Sequence, residues 1–216
     1  MDTLKVIRKN PLFRGLDERD VREALTLLNA RSERYARGET LLCVGAPFSA
    51  FGIVLEGSVQ VYMDDFGGER MMMASVGIGD SFGESHAYLA TEESPVYILA
   101  AADASVLWLS PLIFKGRAAD DLAVLLRERF TALLAMRALY QNERIQILSK
   151  PTIRARVTAF LTQWETRTQS KTFSVPFDRA ALATYLGVNR SALSRELAAM
   201  KREGLLDFYR SAFRLT

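Results

Sequence analysis

The sequence has few of the residues that build metal sites and disulfide frameworks. Its 216 residues contain one cysteine, Cys43, and one histidine, His86. A disulfide scaffold and an iron–sulfur cluster each need several cysteines, so a single chain of this composition can hold neither. Zinc sites and cupin-type iron sites take several histidines, which argues against a cupin-like β-barrel enzyme. We therefore expect a protein that is not an enzyme and that holds no metal.

Long apolar runs are also missing. No stretch reaches the ~18 consecutive apolar residues that a membrane-spanning helix needs. The first residues, MDTLKVIRKNPLF, lack the apolar core of a secretory signal, so we expect a mature N-terminus. Hydrophobic residues make up 49% of the chain, which is enough for a buried core. We expect a cytoplasmic globular protein of one or two domains, without a membrane partner.

Charge is divided unevenly along the chain. The net charge is +3, but residues 1–149 carry 16 Lys and Arg against 20 Asp and Glu, whereas residues 150–216 carry 12 against 5. A basic segment behind an acidic body is typical of a module that binds a polyanion. An ordinary basic surface gives the same count, so the spacing of residues within the segment has to decide.

Short strands separated by glycines dominate the first half of the sequence. In residues 53–63, IVLEGSVQVYM, apolar and polar residues alternate with the period of a half-buried strand. The segments MMMASVGIGDSFGE, VYILAAA and SVLWL add further strands, and DDFGG at 64–68 predicts a hairpin turn. An amphipathic helix at 14–30, which Asp17 can cap, precedes them. We expect a β-roll, similar to a jelly roll, over residues 1–117.

A stretch without glycine or proline, residues 118–149, predicts one long helix. Such a helix would be ~45 Å long, which is more than the β-roll can cover. We therefore expect part of its apolar stripe to contact a second copy of the chain, although packing wholly on its own body is the alternative. The expected contact residues recur mostly at intervals of seven: Leu122, Leu126, Leu133, Tyr140 and Ile147. We expect a hinge behind the helix at Ser149–Thr152.

The segment 178–204, DRAALATYLGVNRSALSRELAAMKREG, has the spacing of a helix-turn-helix. Asp178 can cap a short first helix, Gly187 supplies the turn, and Asn189 can cap the second helix. In this motif the second helix enters the major groove of DNA. We expect a winged helix-turn-helix domain over residues 150–216.

The outer face of that second helix suits base edges. Arginine can bind guanine O6 and N7 with two hydrogen bonds, and serine can donate or accept. The expected base-reading residues are Arg190, Ser191, Ser194 and Arg195. The cations expected to contact phosphates are Arg179, Lys201 and Arg202.

Two strand-like runs, 205–209 and 212–215, follow the second helix and predict the wing. Glu196 stands where such a helix usually carries an apolar residue, and Leu197 can take over that packing. A purely structural helical hairpin, or one that contacts another protein, is the alternative. Two arginines on one exposed face favour double-stranded DNA as the partner.

The order of these motifs resembles the Crp/Fnr family of bacterial transcription regulators along essentially the whole chain. The resemblance is carried by NPLFRGL near the start, RGETL at 37–41, VLEGSVQVY at 54–62, GDSFGE at 79–84 and RSALSREL at 190–197. It implies an α+β fold with a β-roll effector domain, a dimerising central helix and a C-terminal winged helix. It also implies a homodimer that binds a roughly palindromic promoter site, with RNA polymerase as a further candidate partner.

One departure from the family pattern concerns the ligand. In members that bind cyclic AMP, an Arg-Ser or Arg-Thr pair follows the GDSFGE segment, and its arginine neutralises the cyclic phosphate. The same distance from Gly83-Glu84 leads here to Ser94-Pro95, and no Arg or Lys occurs between Gly83 and Lys115. Burying a phosphate without a cation is costly. We therefore expect an effector other than cyclic AMP, or a constitutive regulator.

Other family sensors need other residues. A haem-responsive member needs an axial ligand, for which His86 is the candidate, although a hydrogen-bonded loop histidine is the simpler interpretation. A redox-responsive member could use Cys43, which we instead expect to be buried as a small apolar residue. An unidentified small-molecule effector would lie between the β-roll and the central helix. The expected pocket residues are Met73, Phe82, Gly83, Glu84, Tyr88, Met136 and Tyr140.

Overall fold

The structure, a computed structural model, describes residues 3–64, 70–116, 120–175 and 177–216. The hairpin turn predicted at 64–68 lies almost wholly outside these residues. Within the described ranges, no helix is both long and apolar enough to cross a membrane. The chain divides into two compact units, Met1–Met136 and Arg137–Thr216. This division falls inside the long helix, whereas the sequence predicted boundaries at its two ends, and the three-part division stays a prediction.

The first unit combines short helices with two sheets. Helices α1 (Thr3–Ile7) and α2 (Glu18–Leu27) come first, and Asp17 caps α2 by accepting the Asp20 N–H at 2.8 Å. The strands described are β1 (Arg31–Tyr35), β2 (Thr40–Leu42), β3 (Phe51–Glu56), β4 (Val59–Asp64), β5 (Arg70–Val76), β6 (Ser81–Phe82), β7 (Tyr97–Ala100) and β8 (Ala104–Leu109). Helix α3 (Glu84–Leu89) lies between β6 and β7, and a 3-10 turn at Pro111–Phe114 follows β8.

Two four-stranded antiparallel sheets form, in the orders β1-β8-β3-β6 and β2-β7-β4-β5. The predicted β-roll is therefore confirmed. The predicted alternation is weaker than expected in β3, where residues 51–55 are all buried. Helices α1 and α3 both contact β3, so its outer face is covered as well as its inner one.

Helix α4 runs from Asp121 to Leu148, as the sequence predicted to within a few residues. Its face differs from the prediction. Leu126 and Ile147 are fully buried and Leu133 is 5% exposed, so these three side chains have almost no surface to offer a second copy. Leu122 is partly buried against the core of the first unit. Of the five predicted contact residues, Tyr140 alone is exposed, at 37%. The seven-residue spacing marked the face that packs within one chain.

The second unit begins with the last turns of α4 and contains the predicted helix-turn-helix. Its elements after α4 are α5 (Ile153–Thr168), β9 (Thr172–Ser174), α6 (Arg179–Tyr185), α7 (Arg190–Arg202), β10 (Leu206–Tyr209) and β11 (Ala212–Leu215). The strands form one sheet in the order β10-β11-β9, which is the predicted wing with one added strand. The α+β fold with a C-terminal winged helix-turn-helix is confirmed.

The end of α4 packs closely on the helix-turn-helix. The rings of Tyr140 and Tyr185 lie 5.9 Å apart, and Arg144 donates from Nε to the Tyr185 carbonyl at 3.3 Å. Ile147 is buried in the same cluster as Phe160 of α5. Burial raises the pKa of both tyrosines, so both phenols stay neutral at physiological pH. The expected hinge at 149–152 has packed contacts on both sides within one compact unit, and bending there stays a prediction.

Candidate nucleic-acid interface

The turn between α6 and α7 is built as the sequence predicted. Asp178 accepts the Ala181 N–H at 2.7 Å, and Asn189 accepts the Ser191 N–H at 2.8 Å, so each helix begins at a side-chain cap. Gly187 has a φ of +61°, a conformation that favours glycine. Arg156 on α5 donates from Nη1 to the Gly187 carbonyl at 3.1 Å and holds the turn from behind.

Helix α7 has one buried face and one exposed face. Leu193 and Leu197 are fully buried and Met200 nearly so, and these side chains anchor the helix on α5 and α6. The four predicted base-reading residues lie on the opposite, exposed face: Arg190, Ser191, Ser194 and Arg195. Their assigned role stays a prediction, but the structure does bring them together on one surface.

The two serines and two arginines of this face differ in their own contacts. Ser191 donates to Asn189 Oδ1 at 2.7 Å, and Ser194 donates to the Arg190 carbonyl at 3.0 Å. In the part of the chain that the structure describes, the side chains of Arg190 and Arg195 form no hydrogen bond or ion pair. Ten guanidinium N–H donors are thus available to an external acceptor, whereas the serine oxygens keep acceptor capacity.

The three predicted phosphate contacts lie in different surroundings. Arg202 is exposed at the end of α7. Lys201 forms an ion pair with Asp207 at 2.5 Å, and this hydrogen bond holds the pKa of Asp207 below its usual range. Lys201 therefore ties the end of α7 to strand β10 of the wing.

Arg179 lies against the wing. Its guanidinium stacks 4.9 Å over the Phe208 ring and donates from Nη2 to the Arg210 carbonyl at 3.3 Å. Desolvation lowers its pKa, and its Nη1 is buried without a partner among the described residues. The geometry favours a role in holding the wing against α6, and phosphate contact by Arg179 stays a prediction.

An ion-pair network joins α5 to α7 and was not predicted. Arg154 donates from Nε to Glu196 at 2.6 Å, and from Nη1 and Nη2 to the two carboxylate oxygens of Glu203 at 2.7 and 2.8 Å. These bonds hold the pKa of Glu203 below its usual range and raise that of Arg154. The network explains why a carboxylate stands at position 196, where the sequence led us to expect an apolar residue. In the sequence, the carboxylate of Glu196 at an expected apolar position was the one sign of this network.

In the region expected to bind an effector, two buried polar residues form hydrogen bonds within the β-roll. Ser94 is 1% exposed, and its hydroxyl donates to the Val96 carbonyl at 2.7 Å and accepts the Val96 N–H. Glu84 is buried and accepts a hydrogen bond from the Ser81 hydroxyl at 2.5 Å. Ser94, which stands where the family resemblance led us to expect an arginine in a cyclic-AMP-binding member, is thus bonded to the backbone of Val96, whereas Glu84 is bonded to the Ser81 side chain.

Aromatic rings fill the space between the β-roll and the first half of α4. Phe130 lies 4.5 Å from Phe114, 5.4 Å from Phe51 and 5.8 Å from Tyr88, measured between ring centroids. Phe82 is buried edge-on against Trp108 at 5.4 Å. Of the predicted pocket residues, Phe82 therefore belongs to the packed core, and Tyr88 is partly buried against it.

The remaining predicted pocket residues are scattered. Gly83 has a φ of +81°, and a Cβ there would lie 2.2 Å from the Phe48 ring. Met73 and Met136 are exposed, and Tyr140 belongs to the second unit. Two cavities of about 200 and 280 Å³ occur in the first unit, and neither is lined by a predicted residue. The expected pocket stays a prediction.

The single histidine and the single cysteine have ordinary surroundings. His86 stacks on Phe48 at 5.5 Å, and its Nδ1 lies 3.2 Å from Thr91 Oγ1. Cys43 is exposed, so the expectation that it is buried is wrong. It directly follows β2, an edge strand, where the chain turns with a hydrogen bond from the Ala46 N–H to the Cys43 carbonyl. The sequence did not show that β2 lies at an edge.

Comparison with known proteins matches both units. Residues 32–121 match the cyclic nucleotide-binding domain, and residues 155–216 match the Crp-like helix-turn-helix domain. The chain is 28% identical over 205 residues to the cyclic AMP receptor protein of Thermus thermophilus, covering 93% of this chain and 89% of that protein. It is 26% identical over 205 residues to the transcriptional activator protein FnrA of Stutzerimonas stutzeri, covering 91% and 80%.

A solved structure gives the same result. The crystal structure of Thermus thermophilus catabolite activator protein is similar with a TM-score of 0.53 and 25% sequence identity. The match covers 96% of this chain and 94% of that one, so the similarity extends over both units.

Proposed function

Because this chain belongs to the Crp/Fnr family of DNA-binding transcription regulators, we propose that it acts as a homodimer whose two α7 helices read a roughly palindromic promoter site. One observation carries the proposal: α7 is anchored by a buried apolar face and presents Arg190 and Arg195 to solvent, free of internal partners among the described residues. Unpaired arginines on the outer face of a recognition helix are suited to guanine O6 and N7.

The second half-site requires a second copy of the chain. Two α7 helices must lie about 34 Å apart to read half-sites one turn of DNA apart. Helix α4 offers a contact face with the spacing i, i+3, i+4, i+7: Ala132, Ala135, Met136 and Leu139, all exposed. This face replaces the predicted seven-residue stripe as the site of self-association.

We propose that cyclic AMP is not the effector of this protein. The relative from Thermus thermophilus carries cyclic AMP in its name, but this chain has no cation between Gly83 and Lys115 to neutralise a cyclic phosphate. Ser94 and Glu84 are already engaged within the β-roll, and a second negative charge beside the buried carboxyl would be unfavourable. Calorimetry should detect no binding of cyclic AMP in the micromolar range. Micromolar affinity would contradict the proposal.

Selection of bound duplexes from a random pool tests the main proposal. We expect enrichment of sites with two inverted half-sites, and mass photometry of the complex should count two chains per duplex. Enrichment of no sequence, or a single chain on each duplex, would contradict it. The same complexes, presented to RNA polymerase, report whether the bound dimer recruits or excludes it.

A further inference from the structure

One guanidinium links α5 to the middle of α7 and to Glu203, the residue that caps the C-terminal end of α7. Arg154 lies in the first turn of α5, and its Nε and both terminal nitrogens are engaged by Glu196 and Glu203. The two carboxylates are seven residues apart, which is about two turns or 10.5 Å along the helix, and so they share one face. A planar guanidinium has fixed donor directions, so holding both carboxylates constrains the helix in rotation as well as position.

The apolar face of α7 cannot supply this constraint alone. Leu193, Leu197 and Met200 are buried, but apolar contact has no preferred direction and tolerates small rotations. A rotation of about 15° would move atoms about 6 Å from the helix axis by about 1.5 Å. Displacements of that size exceed the range over which a hydrogen bond to a base edge persists.

The network lies beside the predicted base-reading residues. Glu196 directly follows Arg195 on α7, so the rotation that sets Glu196 on Arg154 also sets the direction of Arg195. The Arg154 side chain is 43% exposed, and exposed ion pairs contribute little to stability. The value of the network therefore lies in orientation.

We propose that Arg154 is a positioning residue that fixes the rotation of α7 and thereby sets base preference at the promoter site, an inference that rests on the function proposed above. It acts through Glu196 and Glu203 and does not itself touch DNA. Losing it should reduce discrimination between sites more than it reduces affinity for DNA in general.

The double variant R154M/E203Q tests this because it keeps the net charge of the wild-type chain. Its affinities for the selected site and for a site with one base pair changed in each half-site are compared at one salt concentration. We expect the ratio of the two affinities to fall about tenfold. Non-specific affinity and its salt dependence should stay unchanged, because no net charge is lost.

The matched control is R167M/E143Q. It removes a similar exposed ion pair, 2.6 Å long, that joins α5 to α4 and does not contact α7. We expect this variant to keep the wild-type ratio. If both variants lower the ratio equally, or if R154M/E203Q keeps it while its thermal midpoint falls, the positioning role is overturned.

A milder variant keeps the test decisive if R154M/E203Q does not fold. E203Q retains the shape of the side chain but weakens the paired hydrogen bonds to Arg154, and it should lower the ratio about threefold. An unchanged ratio in E203Q would also overturn the inference. Absence of any site preference in the wild-type chain would instead overturn the proposed function, so the two failures are distinguishable.

Discussion

The two units of this chain differ in whether selected polar side chains are buried and hydrogen-bonded or exposed and unpaired. In the first unit, Ser94 and Glu84 are buried and hydrogen-bonded within the unit. In the second unit, Arg190 and Arg195 are exposed without internal partners in the described part of the chain. The second unit therefore leaves cationic hydrogen-bond donors exposed, whereas these two polar residues of the β-roll are bonded within it.

A charge on the proposed dimer face of α4 should have the largest effect. L139R places a cation at a position that is 64% exposed in the single chain but that we expect to be buried in the dimer. Dimer affinity should fall more than about 100-fold, with a similar loss of binding to the two-half-site duplex. I145R is the matched control, since Ile145 is 62% exposed on a different face of α4. Light scattering measures the molar mass and hence the oligomeric state. If both variants weaken the dimer equally, the proposed dimer face is contradicted.

Loss of one of the proposed base-reading arginines should have the next largest effect. R195A removes a guanidinium that can form two bonds to guanine, so affinity for the selected site should fall about 10- to 100-fold with relaxed preference at one base pair of each half-site. Fluorescence anisotropy measures both sites. An equal loss on all sequences would show that Arg195 contacts only the backbone.

The variant G83A tests how closely the β-roll packs around Gly83. The substitution forces alanine into a φ of +81° and brings a Cβ to 2.2 Å from the Phe48 ring, so unfolding free energy should fall by about 1–3 kcal/mol. Gly116, around which a Cβ meets nothing within 4 Å and which lacks a positive φ, supplies the control G116A. Urea unfolding compares them, and equal stability of the two variants would contradict the close packing on Phe48.

The smallest effect is expected at Lys201. K201A removes one cation near the DNA but also the ion pair with Asp207, so affinity should fall only a few-fold, alike for all sequences. The slope of log affinity against log salt should become shallower by about 0.9 if Lys201 neutralises one phosphate. An unchanged slope would assign Lys201 to the wing alone.

The helix-turn-helix could be predicted because its determinants are local. Caps at Asp178 and Asn189 and the turn at Gly187 are set by residues within a few positions of each other, and all three are confirmed. The strands of the β-roll could be predicted equally well, because alternation and glycine turns are short-range signals.

The features that could not be predicted from the sequence depend on residues far apart in the chain. The interior face of the first half of α4 is decided by Phe51, Phe114 and other residues of the β-roll, and a seven-residue spacing does not distinguish a chain's own core from a second copy. Arg154 meets Glu196 across 42 residues of sequence. Neither pairing leaves a local pattern, so the buried and exposed faces of α4 and the ion-pair network could be identified only from the structure.

The most direct test of the central claim is to repeat the duplex selection with the wild-type chain and with R195A. For the wild type we expect two inverted half-sites centred about 10 base pairs apart. For R195A we expect the same spacing, with preference lost at one symmetry-related base pair in each half-site. An identical consensus from both proteins, or a consensus without inverted symmetry, would contradict it.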